Sequence, residues 1–102
     1  MDERIKKLAY NLVNYSCRVQ KGEKVLISCS GVHPLPLVKQ IIKEVYAAGA
    51  LPFVNFTTNS IDRELLLNIT EEQLKIMAEC DAARMSQMDA YIGDRGEDNI
   101  SE

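Results

Sequence analysis

Ser30, His33, Asp94, Arg95, Glu97 and Asp98 are the residues whose types and positions could do chemistry. They fall in two polar stretches, Ser30-Gly31-Val32-His33-Pro34 and Asp94 to Asn99, each directly after an apolar run. The three carboxylates could hold a hard cation through oxygen, but their spacing does not match a calcium loop and loop carboxylates are common. Arg95 could clamp a carboxylate or a phosphate, or simply pair with the acids beside it. His33 is the only histidine, so no histidine pair exists to ligate a metal. A lone histidine before a proline more often serves a helix entrance or the surface.

Cys29 invites a nucleophile reading that its context does not support. A catalytic thiol needs a lowered pKa and a base, and the arginine of a phosphate-binding CxxxxxR loop is missing downstream. A buried, inert thiol is the plainer reading. Gly93-x-x-Gly96 lacks the first glycine of a dinucleotide fingerprint, and no GK[ST] occurs. Ile27-Ser28-Cys29-Ser30 stands where a receiver-like domain would carry acids.

The 102 residues make one domain at most, with 46% hydrophobic and 26% charged content in the range of an ordinary globular protein. A net charge of −3 argues against a nucleic-acid groove. The charge is uneven: residues 1–50 carry eight Lys/Arg against four Asp/Glu, and residues 51–102 carry four against eleven. The acidic half could attract a cation such as a free amino terminus, although solvated helix faces are the plainer explanation. The charged start MDERIKK leads into an amphipathic segment and not into an apolar signal core. No apolar run reaches bilayer-spanning length. Cys17, Cys29 and Cys80 are an odd, scattered set, which suggests reduced thiols and a cytoplasmic setting.

Apolar residues at Ile5, Leu8, Ala9, Leu12 and Val13 predict an amphipathic helix reaching about Tyr15. A turn over Val19–Glu23 leads to a strand, Lys24–Cys29, whose near-continuous apolar character suits a parallel sheet covered on both faces. Pro34 and Pro36 fit the entrance of a second helix. Val38, Ile41, Ile42 and Val45 form its stripe, and Ala48-Gly49 ends it. Leu51–Phe56 is a second strand, with Pro52 favouring its start or a sheet edge. A short helix spans Ile61–Leu67. Thr70 and Gln73 make a capping pair for a further helix, in which Leu74, Met77, Ala78, Ala82 and Met85 read as a core face. Ala90–Gly93 gives a short third strand.

This alternation predicts a three-layer α/β/α fold with a short parallel sheet. Right-handed crossovers to opposite faces give the strand order 2-1-3. That order opens a crevice at the carboxyl ends of strands 1 and 3, where ligands of such sheets are usually held. The two polar stretches would line it together, which fixes a place and not a reaction.

Three stretches carry a resemblance: VQKGEKVLISC after the opening helix, PLVKQIIKEVYAAGALPFVNF, and MDAYIGDRGEDN. Together they resemble the amino-terminal region of the M29 family of metal-dependent aminopeptidases, the thermophilic and staphylococcal-type group, from about Arg4 to Asn99. The turn-strand VQKGEKVLI and the AAGA-to-strand junction are the most specific pieces, and neither is catalytic. The resemblance implies an enzyme that removes amino-terminal residues from peptides with two divalent ions, zinc or cobalt. Such metals would polarise the scissile carbonyl and activate a water. It further implies a cytoplasmic homodimer whose metal ligands lie in a carboxyl-terminal catalytic part absent here. Residues 1–102 would then be an amino-terminal α/β fragment ending after its third strand, inactive and metal-free alone, with peptides bound through the missing part. Asp94 departs from the family pattern, standing where an apolar residue is more usual, and could shorten strand 3. Uncovered apolar surface would also drive self-association.

Two other readings stay open. One is a free-standing small α/β binding module with its ligand in the strand 1/strand 3 crevice. The other, an acidic-loop hydrolase acting alone, has the single histidine against it.

Overall fold

Three parallel strands in the order β2-β1-β3 form the centre of the protein, as the alternation predicts. The computed structural model describes residues 2–95. Along the chain come α1 (Glu3–Asn11), a π-helical turn (Leu12–Ser16), β1 (Lys24–Ser30), α2 (Leu35–Ala47), β2 (Leu51–Thr57), α3 (Asn59–Leu67), α4 (Glu71–Met85) and β3 (Ala90–Arg95).

Asp2 starts α1 by accepting the Arg4 amide at 2.9 Å, which satisfies one of the free donors of a helix start. The helix does not stay α-helical to Tyr15. Its last turn widens to i→i+5 bonding, with the Cys17 amide donating to Leu12 at 3.0 Å. Arg18, at φ 48°, then reverses the chain in the left-handed region. This carries Val19 back under the helix, where its amide donates to the Val13 carbonyl at 2.9 Å. Val13 and Val19 are both buried as a result.

The turn after Arg18 and the junction between α2 and β2 hold each other. The Gly22 amide donates to the Gly49 carbonyl at 2.9 Å, and the Leu51 amide donates to the Glu23 carbonyl at 2.8 Å. Gly49 sits at φ 79°, the left-handed position that ends α2. A Cβ there would lie 3.1 Å from the Lys21 Cγ. The two stretches most specific to the resemblance are therefore one contact.

The core lies on one face of the sheet. Val25, Ile27 and Cys29 of β1 and Ile92 of β3 pack there with Ala9 and Val13, and with Val38, Ile41 and Val45 of α2. Ile27, Ile41, Val13, Val25 and Val45 are fully enclosed. The predicted α2 stripe is thus the observed one, with Ile42 packed partly against it. β2 is an edge strand, which suits Pro52.

The other face departs from expectation. Lys24–Cys29 reads as covered on both sides, yet from Ser28 onward the strand alternates, with Ser28 and Ser30 half-buried and Cys29 buried. Parallel register sets Ser28 against Asn55 of β2 and Gly93 of β3. The second face therefore offers Leu26, Phe53 and Tyr91 at its amino end and small or polar residues beyond them. α4 has little apolar surface to pack against there. The expected core face of Leu74, Met77, Ala78, Ala82 and Met85 is accordingly exposed, and no residue of α4 is buried. Leu74, Met77 and Met85 keep 41–49% of their surface open. Thr70 does cap the helix as expected, accepting the Gln73 amide at 3.1 Å. Local capping was readable; the packing partner was not.

β3 also runs two residues further than expected. Asp94 pairs with Cys29 and Arg95 with Ser30, so Asp94 does not shorten the strand. At the strand's start, the Asp89 carboxylate accepts the Lys24 amide at 2.9 Å, and the Asp89 amide donates to the Lys24 carbonyl at 2.7 Å. This double link fixes the register of β1 and β3.

Candidate functional site

The crevice residues are placed by the ends of β1 and β3. Ser30 is the last residue of β1 and lies in register with Thr57 on one side and Arg95 on the other. The chain turns away at Gly31, whose φ of 89° suits only glycine without strain. The Gly31 amide donates to the Thr57 carbonyl at 2.8 Å, tying the turn to β2. His33 follows in the turn and is exposed. Pro34 and Pro36 flank the first residue of α2, and no side chain caps that helix. The Leu35 amide donates to the Val32 carbonyl at 3.2 Å, and Pro34 and Pro36 have no amide hydrogen, so little of this helix start is left to hold an anion.

Of the expected set, the structure brings the backbones of Ser30 and Arg95 together and puts His33 three residues beyond Ser30. Glu97 and Asp98 lie outside the described residues. Asp94 and Arg95 belong to β3 and not to the loop after it.

Cys29 is inert by position. It is 1% exposed, and its thiol donates to the Gly31 carbonyl with Sγ and O 3.4 Å apart. Burial pushes the Cys17 thiol above its ordinary pKa, away from the thiolate a nucleophile needs. Among the described residues no group of three or more His, Cys, Asp or Glu gathers to hold a metal ion. The described part of the chain thus does not fit a two-metal centre. No helix in it is long and apolar enough to cross a membrane.

The structure also assembles a group that the sequence reading missed. Ser28, Asn55 and Tyr91 of the second sheet face meet Asp81 and Arg84 of α4 around a cavity of about 180 Å³. One signal for it was present in the sequence. Serines at 28 and 30 break the apolar run of β1 on one face alone, and asparagine at 55 breaks β2 at the matching position.

The sequence pattern of the family described as thermophilic metalloprotease (M29) matches residues 1–100. No curated protein matches this chain in sequence. Among solved structures, wild-type AmpT from Thermus thermophilus is similar at a TM-score of 0.57 and 25% identity. That likeness covers 71% of this chain and 18% of the AmpT chain. The parallel 2-1-3 sheet, the turn locked against the α2–β2 junction and the match over nearly the whole length agree: the chain belongs to the M29 family of metallopeptidases.

Proposed function

We propose that this chain is the non-catalytic amino-terminal scaffold of a metal-dependent aminopeptidase, a cytoplasmic homodimer that takes amino-terminal residues from peptides with two divalent ions. The observation that carries this reading is the family match over residues 1–100. The share of the AmpT chain covered, 18%, supports assigning catalysis to a part of the parent enzyme outside this stretch. So does the presence of a single histidine in the sequence. No catalytic step is assigned to these residues, because those described do not fit the metal centre.

Exposed apolar side chains support the scaffold role. Ile61, Leu65, Leu66 and Leu67 of α3 are 44–66% exposed, and Phe53, Val54 and Phe56 of β2 are 39–45% exposed. Surface of that kind usually marks an interface. Its proposed occupants are the rest of the parent enzyme and the dimer partner.

Calorimetric titration of zinc and cobalt into the 102-residue chain tests the reading. The expected result is no saturable uptake. Stoichiometric binding of two ions by this chain would overturn it.

A further inference from the structure

Asp81 and Arg84 stand three residues apart on α4, on one side of the helix, and both line the cavity over the second sheet face. Among the described residues neither side chain forms an ion pair; the pairs present are Arg4–Asp2 and Lys6–Glu3, both at the amino terminus. Ser28 and Asn55 line the same cavity. They are half-buried, and neither side chain has a hydrogen-bond partner among the described residues. Asp81 is exposed and Arg84 part-exposed, so all four groups are open to water and can exchange it for a ligand that offers matching partners. Here a cation, an anion, a hydroxyl and an amide converge on one space without meeting one another.

The Tyr91 ring forms a wall of that space. Gly93 leaves room for it, since a Cβ at Gly93 would lie 3.2 Å from the Tyr91 ring edge. Leu26, 3% exposed, gives the floor an apolar end. The space is a depression open to solvent on one side, and its volume of about 180 Å³ matches a small metabolite.

We propose that this cavity binds a small zwitterion, an α-amino acid with a short apolar side chain. Arg84 receives the carboxylate and Asp81 the ammonium. Ser28 and Asn55 complete the hydrogen bonds, and the side chain lies against Leu26 and Tyr91. A net-neutral ligand carrying both charges answers all four polar groups, whereas a simple anion or cation leaves one charge unanswered. The proposal rests on the cavity alone and does not depend on the family assignment.

The test is an amide chemical-shift titration of the full 102-residue chain with L-alanine, acetate and ethylamine. L-Alanine should shift the amides of Ser28, Asn55, Gly93 and the last turns of α4 saturably at millimolar concentration. Acetate and ethylamine, each half of the ligand, should bind at least tenfold more weakly, as should L-alanine to Asp81→Asn and to Arg84→Gln. Unshifted amides at Ile27 and Ile41 would show that these surface variants keep the fold. No saturable shift with L-alanine, equal binding of a half-ligand, or unweakened binding to both variants would overturn the proposal.

Discussion

Gly49 shows how much of this fold hangs on single backbone positions. It ends α2 in the left-handed region, and its carbonyl accepts from Gly22 across the turn that feeds β1. An alanine there meets the left-handed penalty of about 1–2 kcal/mol. The contact 3.1 Å away is with the flexible Lys21 side chain, which can move aside. Gly49→Ala should therefore destabilise by about 1 kcal/mol, lowering the melting temperature by about 4–8 °C for a domain of this size. An unchanged melting curve would contradict the role given to this junction. The glycine was legible as a helix stop from its place after Ala48, but its partner was not. The pairing with Gly22 joins residues 27 positions apart, and only the folded register reveals it.

At the scale of elements, the three cysteines report on three environments. Cys80 is exposed on α4, Cys17 is half-buried after the π-helical turn, and Cys29 is enclosed in β1. Alkylation of the native chain should modify Cys80 first, Cys17 more slowly and Cys29 last. The Cys17 thiol is raised by burial, so its reaction should set in at higher pH than that of an ordinary thiol. The linkage has a definite sign. The unfolded chain ionises this thiol first, so the contribution is whole below the ordinary thiol range and is lost as pH rises through it. Cys29 reacting as fast as Cys80, read by mass spectrometry, would mean that β1 is not covered as described. Element type was readable here: the Thr70 cap, the α2 stripe and the strand order all follow from local pattern and crossover handedness. The packing of α4 was not, because it depends on what Ser28, Asn55 and Gly93 present from three separate strands. The same fact hid the cavity, whose members are distant in sequence and meet only through parallel register. The crevice at Ser30 and His33 was legible as a place, since it needs only strand ends and topology.

For the whole molecule, the core on one sheet face is closed while the other face, the edge strand β2 and helix α3 keep large side chains in water. The chain should accordingly self-associate as its concentration rises. Sedimentation velocity showing a clean monomer at high concentration would count against that. Among the described residues the ion pairs are exposed and local, and such pairs contribute little, so salt should leave this part of the fold nearly unchanged. The scaffold role proposed for this M29 chain would put the chemistry of its family elsewhere in the parent enzyme. Turnover of an amino-acid anilide with added zinc or cobalt tests it most directly, with this chain run beside any longer product of the same gene. Activity confined to the longer product is the predicted result; metal-dependent turnover by the 102 residues alone would contradict it.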